Sequence, residues 1–206
     1  MKLWVKLCGV RSEADVAAAV AAGADAIGVV MTPSVRKVDI DTARRLVVGA
    51  PDELTKVAVF YRPARELVES VRDQVPFDLF QAEPESLDGI AGIQILPVVH
   101  DRPDLVSAVR GLSTSPRPER ILVESARRGG TGLSPDWGRV AAIGQLGNVV
   151  IAGGLTPDNV AEAVSNLGPG GVDVSSGVES SPGVKDPELM ARFVEAARSA
   201  VREGVS

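Results

Sequence analysis

Two stretches near the C-terminal end of the chain carry the residue types that hold a phosphate. Val172-Asp173-Val174-Ser175-Ser176-Gly177 runs a short apolar strand into two hydroxyls and a glycine. Val149-Val150-Ile151-Ala152-Gly153-Gly154 ends a β-branched run in two glycines. Such turns aim backbone N–H groups at one spot, and serine hydroxyls add donors there. Either turn alone could be a tight corner that needs glycine and nothing more. As a consecutive pair closing a βα chain, they fall where a TIM barrel binds phosphate, after strands 7 and 8. Beyond the glycines, Thr156 suits a helix cap and Pro157 a first helical residue.

Two ionisable residues end other strands. Cys8 closes the first and Glu124 the sixth, and a closed barrel sets them across its mouth from each other. A thiolate beside a phosphate site can have its pKa lowered from about 8.5 and act as a base. A carboxyl sheltered from water stays protonated and can act as an acid. The plainer readings stay open: Cys8 as a small buried hydrophobe, Glu124 as a cap on the loop after it. Arg36, after strand 2, could grip a carboxylate or be a solvated surface residue. Asp173 could orient the phosphate turn or satisfy backbone amides. His100, the single histidine, reads as an exposed loop residue, and Trp137 as a packing residue. One cysteine and one histidine exclude an internal disulfide, a thiolate metal cluster and a His-rich zinc site.

The elements that must position these groups alternate throughout. Strands are expected over 3–7, 25–30, 55–60, 77–81, 93–99, 121–124, 149–152 and 172–174. Helices are expected after Ser12, paired with Asp15 as a capping box, and after Asp39. Further helices are expected over 63–75, from 84 or 85, over 103–112, 135–144 and 157–167, and from 187. Short continuous apolar strands suit a buried parallel sheet, and strict alternation gives an α/β fold. Eight units with two terminal phosphate turns favour a single (β/α)8 TIM barrel over residues 1–206. An open nucleotide-binding sheet would want Gly-x-Gly-x-x-Gly after strand 1, where Cys8-Gly9-Val10-Arg11-Ser12-Glu13 stands, and no Gly-Lys-Ser/Thr loop exists.

The 206 residues are 45% hydrophobic and 24% charged, ordinary globular material with room for a sizeable core. A net charge of −5 without a basic cluster argues against nucleic acid. Lys6 interrupts the N-terminal apolar run, and no stretch reaches membrane-spanning length, so a cytoplasmic protein without membrane contact is expected.

These residues resemble the phosphoribosylanthranilate isomerase family of tryptophan biosynthesis over essentially the whole chain. The carrying motifs are Val5-Lys6-Leu7-Cys8-Gly9, Gly23-Ala24-Asp25-Ala26-Ile27-Gly28, Ser34-Val35-Arg36, Gly129-Gly130-Thr131-Gly132 with Asp136-Trp137, and Ile151-Ala152-Gly153-Gly154-Leu155-Thr156-Pro157. The most specific is Val172-Asp173-Val174-Ser175-Ser176-Gly177-Val178-Glu179, completed by Ser181-Pro182-Gly183-Val184-Lys185-Asp186. The resemblance implies a TIM barrel and a cofactor-free, metal-free Amadori rearrangement of a phosphorylated aminoaldose to an aminoketose. It implies Cys8 as general base and Arg36 on the anthranilate carboxylate. Gln81, Gly130 and Asp173 would contact the substrate, and the backbones of Gly153, Gly154, Ser175 and Ser176 its phosphate. A monomer or weak homodimer is expected.

Two departures stand out. The family's acid is an aspartate in Leu-Leu-Asp, and here the motif is Leu122-Val123-Glu124. Displacing a reacting group by about 1 Å can cost on the order of 100-fold in rate. The family's Gln-Leu-His-Gly after strand 4 is here Gln81-Ala82-Glu83-Pro84, without the histidine. The histidine-pathway isomerase, a rival barrel with the same chemistry, would want an aspartate in place of Cys8 and a second glycine-rich turn in place of Phe60-Tyr61-Arg62. A catalytically silent paralogue that binds a sugar phosphate is the rival from outside enzymology.

Overall fold

The structure is a computed structural model describing residues 2–112, 118–124, 137–144 and 148–203. In chain order its strands are β1 (Trp4–Cys8), β2 (Ala26–Val30), β3 (Thr55–Val59), β4 (Leu79–Ala82), β5 (Ile95–His100), β6 (Ile121–Glu124), β7 (Val149–Ala152) and β8 (Gly171–Val174). Its helices are α1 (Glu13–Ala22), α2 (Ile40–Val48), α3 (Arg65–Gln74), α4 (Pro84–Leu87), α5 (Leu105–Leu112), α6 (Trp137–Gly144), α7 (Val160–Leu167) and α8 (Pro187–Glu203). β1 to β8 form a closed barrel in sequence order, and every pairing around it is parallel, with β8 returning to β1.

Closure sorts each strand by alternation. Val5, Leu7, Val172, Val174, Ile121 and Val123 face outward into the main core under the helices. Trp4, Leu122, Val98 and Val150 face inward and fill the barrel. The same period therefore sends Lys6, Cys8, Gln81, His100, Glu124 and Asp173 to the inside. Those nearest the C-terminal ends of the strands reach the barrel mouth, where TIM barrels do chemistry.

Local signals set many of the boundaries. Ser12 and Asp15 make the expected capping box, with Asp15 N donating to Ser12 Oγ at 3.1 Å and Ser12 N to Asp15 Oδ2 at 3.2 Å. Gly23 ends α1 at φ 78°, a left-handed conformation that favours glycine. Asp39 Oδ1 accepts from Thr42 N at 2.7 Å and starts α2.

Thr156 and Pro157 do not open α7; that helix begins a turn later, with Asn159 at its cap position. The Thr156 hydroxyl accepts from Asp158 N at 3.3 Å, the bond a cap makes, but residues 157–159 form a turn and the regular helix starts only at Val160. Asn159 braces the same turn, accepting from Thr156 N at 2.8 Å and donating to Gly154 O at 2.9 Å. α3 and α5 likewise start two residues after the prolines expected to open them. An unforeseen antiparallel hairpin, β9 (Glu179–Ser181) with β10 (Val184–Lys185), follows the last barrel turn.

Gly177 sits where the turn after β8 passes against the turn after β7. A Cβ there would collide with the Leu155 carbonyl oxygen. Gly177→Ala is therefore expected to cost about 1–3 kcal/mol of stability or more, the scale of overpacking a rigid contact. Urea unfolding checks this, and an unchanged midpoint would mean the two turns are not in tight contact.

Candidate active site

A cavity of about 100 Å³ opens at the C-terminal mouth of the barrel. Cys8, Arg36, Gln81, Glu83, His100 and Glu124 line it. A smaller cavity of about 30 Å³ adjoins it, lined by Gly153, Gly154, Ser175, Ser176 and Gly177, and the two share Glu124, Asp173 and Ser175. Gly153 and Gly154 have φ of 98° and 66°, which turns the chain back on itself as few residues other than glycine can. The fold thus brings the sequence-derived groups Cys8, Glu124, Arg36, Gln81, Asp173, Gly153, Gly154, Ser175 and Ser176 to one end. Gly130 and the side chain of Trp137 lie outside the described residues.

Beneath the mouth lies an ion pair. The β1–β8 register sets Lys6 opposite Asp173, and Lys6 Nζ donates to Asp173 Oδ1 at 2.8 Å with the lysine fully buried. Burial pulls the ammonium's pKa down, but Asp173 and Cys8 outweigh it, so the net shift is upward. Gly28 makes room for this arrangement, because a Cβ there would stand 2.8 Å from Cys8 Sγ and 3.1 Å from Lys6 Nζ. Burial pushes the Cys8 thiol up, Lys6 pulls it down, and Asp173 pushes it up again. The net direction is upward, against the expectation of a lowered thiol. Desolvation in a closed barrel outweighs the nearby cations.

Glu124 carries the largest consequence of the same burial. Desolvation first and the Asp173 carboxylate second raise its pKa to about 7, while His100 and Lys6 pull the other way. A carboxyl so placed exchanges its proton near neutral pH, as a general acid should.

Arg36 is not a solvated residue. Its Nε and Nη2 donate to Glu179 Oε1 and Oε2 at 2.7 and 2.8 Å, a bidentate pair. Lys185 Nζ donates to Glu179 Oε1 at 2.9 Å and to Ser175 O at 2.8 Å, and Gly183 N to Glu179 Oε2 at 3.1 Å. Glu179 so ties the loop after β2, the β9–β10 hairpin and the phosphate-type turn together. Burial opposes the charge on Glu179, but Arg36 and Lys185 overcome it and hold the carboxyl at about 2.

His100 is not an exposed loop residue. It ends β5, opposite Glu124 in the β5–β6 register, and lines the cavity. Sequence reasoning missed the roles of Lys6, Glu83, Glu179 and Lys185. Lys6 offered one signal, a charge inside an otherwise apolar strand. The Gln81 side-chain oxygen is buried without a hydrogen-bond partner among the described residues and faces the cavity.

Comparison with known proteins places the chain in context. A family model described as N-(5'phosphoribosyl)anthranilate (PRA) isomerase matches residues 5–196. The N-(5'-phosphoribosyl)anthranilate isomerase of Cereibacter sphaeroides (strain ATCC 17023) is 39% identical, over 94% of this chain and 98% of the relative. The crystal structure of phosphoribosyl anthranilate isomerase from Thermotoga maritima superposes with a TM-score of 0.82 at 31% identity, covering 96% of this chain and 99% of that one. A further structure of such an isomerase, in complex with reduced 1-(o-carboxyphenylamino)-1-deoxyribulose 5-phosphate, has a TM-score of 0.79 at 31% identity, with 96% and 99% covered.

The Glu179 cluster sets a pH signature. Its folded pKa lies below the ordinary 4.5, so its stabilisation is full above about pH 4.5 and is lost as pH falls through about 2. Glu179→Gln is expected to be markedly less stable than the unmutated chain at pH 7, with the gap closing steadily below pH 4.5. Denaturant unfolding across pH measures this, and a gap independent of pH would contradict it.

Proposed function

The chain belongs to the N-(5'-phosphoribosyl)anthranilate isomerase family, and on that premise we propose how its barrel mouth carries the reaction, with Glu124 as acid and Cys8 as base. It is an aldose–ketose isomerase of tryptophan biosynthesis, performing the Amadori rearrangement of N-(5-phosphoribosyl)anthranilate to its 1-deoxyribulose 5-phosphate product. One observation supports the assignment of roles above the rest. Cys8 and Glu124 line a single cavity with Lys6–Asp173 beside them, and a glycine- and serine-lined recess adjoins it.

The phosphate lies against the turns at Gly153-Gly154 and Ser175-Ser176. Arg36 meets the anthranilate carboxylate with Nη1, which makes no hydrogen bond among the described residues while Glu179 holds the rest of the guanidinium. Gln81 offers its buried oxygen to a substrate donor. Gly130, outside the described residues, keeps the substrate-contact role that the family resemblance implies. Asp173 acts through Lys6, keeping the ammonium beside the thiol.

Glu124 gives its proton to the ribose ring oxygen. The C1′–O bond breaks, and the anthranilate nitrogen's lone pair forms the C1′=N bond of a cationic Schiff base. The Cys8 thiolate then takes the C2′ proton, and the electron pair neutralises the nitrogen to give the enolamine. Protons balance when the C2′ hydroxyl returns one to Glu124 as the Cys8 thiol gives its own to C1′. The Schiff base cation also helps the thiol ionise, since an opposite charge nearby favours the thiolate. A monomer or weak homodimer is the proposed oligomeric state. Among the described residues no helix is long and apolar enough to cross a membrane, and the cytoplasm is the proposed location.

The base titrates above the acid in the free enzyme, because burial raises the thiol while Glu124 stands at about 7. The working form, thiolate with protonated carboxyl, is then a minor proton arrangement of the singly protonated pair. The kcat/KM profile is expected to be a bell whose acidic limb falls at about pH 7 and whose alkaline limb lies above the ordinary thiol range. In a coupled fluorescence assay, Cys8→Ala should retain less than about a tenth of turnover. Glu124→Gln should lose about 100-fold or more, the scale of a lost general acid, and Glu124→Asp should stay active. Near-normal turnover in Glu124→Gln would remove Glu124 from the mechanism.

A further inference from the structure

The fold sets the chain's single histidine between two carboxyl side chains. β5 ends on His100, and the parallel register lays it directly beside Glu124, the last residue of β6. Its Nδ1 lies 3.8 Å from Glu124 Oε2, and its Nε2 lies 3.3 Å from Glu83 Oε1, just after β4. Glu83 is itself tethered, its other oxygen accepting from Arg62 N at 3.3 Å. The side chains of His100, Glu83 and Glu124 are 26%, 15% and 19% exposed, so solvent screens them only in part.

The two distances imply different jobs. Nε2 is close enough to Glu83 for a long hydrogen bond, which fixes the plane of the ring. Nδ1 is too far from Glu124 for one, so the ring acts on Glu124 through its charge. A protonated imidazole carries an N–H on each side, and this site puts a carboxyl group opposite each of them.

We propose that His100 is a positioning residue for the acid: anchored by Glu83, it stands beside Glu124 and offsets the carboxylates that would otherwise hold the Glu124 proton too tightly. Among the described residues, the ionisable groups around the pair are Asp173 on β8, Lys6 and Cys8 on β1, Glu83 after β4, Asp101 next to His100 in the chain, and Arg36 and Tyr61, which line the same cavity. Asp173 and Glu83 disfavour the Glu124 carboxylate, and Lys6 and His100 favour it. Without the ring, Lys6 alone opposes two negative charges. An acid whose pKa climbs well above the operating pH transfers its proton less readily. The proposal rests on Glu124 being the acid.

A lone histidine makes the test clean, because its ring C–H signals in proton NMR need no assignment by mutagenesis. In the folded chain, Glu83→Gln is expected to lower the ring's titration midpoint by about half a unit or more, since it removes a neighbouring negative charge, and Glu124→Gln is expected to remove the part of the ring's titration curve that follows the ionisation of Glu124 at about pH 7. His100→Gln is expected to raise the acidic limb of kcat/KM, whereas a residue that only packs would scale the rate equally at every pH. A ring titration curve unchanged by Glu124→Gln overturns the proposal and leaves the acid assignment standing. Near-normal turnover in Glu124→Gln overturns the assignment and the proposal with it, so the two failures are told apart.

Discussion

The site depends on one buried ion pair across the seam where the barrel closes. Lys6 has no exposure to solvent. A buried ammonium without a partner would cost several kcal/mol or shed its proton. The β1–β8 register supplies the partner by setting Lys6 level with Asp173, 167 residues away in sequence. Closure and charge are therefore one constraint: the strands that shut the barrel also satisfy its innermost cation. Both groups proposed to react, Cys8 and Glu124, feel that pair. Lys6 draws Cys8 toward the thiolate, and Asp173 pushes Glu124 toward the protonated acid.

A second cluster makes the rest of the mouth rigid. Glu179 holds Arg36 from the loop after β2 and Lys185 from β10, and Lys185 also binds the backbone of Ser175. The guanidinium assigned to the substrate carboxylate is thereby fixed relative to the turn assigned to its phosphate. Two charge clusters, one under the cavity and one beside it, hold the groups proposed to react at a set spacing from the recess proposed to take the phosphate. Preorganised placement of this kind supplies much of what an isomerase has to work with.

The barrel was legible in the sequence because its signals are local. Apolar runs, Ser12 and Asp39 at helix starts, Gly23 at a helix end and paired glycines after β7 each act within a few residues. The exception among them is Thr156, whose hydroxyl makes the cap-type bond to Asp158 N although the chain turns over 157–159 before the regular helix begins. The position of Cys8 and Glu124 followed from strand ends alone. What stayed hidden was pairing over long separations. Nothing near Arg36 marks Glu179, 143 residues on, as its partner, and so the residues alone left open whether it grips a carboxylate or stands in solvent. His100 was misread for a narrower reason. Asp101-Arg102-Pro103 reads as loop, and β5 running to residue 100 is what turns the imidazole inward. The shift of Cys8 was misjudged in sign, since strand position does not tell how completely the thiol is desolvated.

The central claim is that barrel closure and the Asp173 charge keep the proton on Glu124 up to neutral pH. Difference infrared spectroscopy, unmutated chain against Glu124→Gln, reads the protonated carboxyl band of that one side chain. The band is expected to vanish with a midpoint at about pH 7. Loss of the band near pH 4.5, the ordinary carboxyl value, would contradict the account.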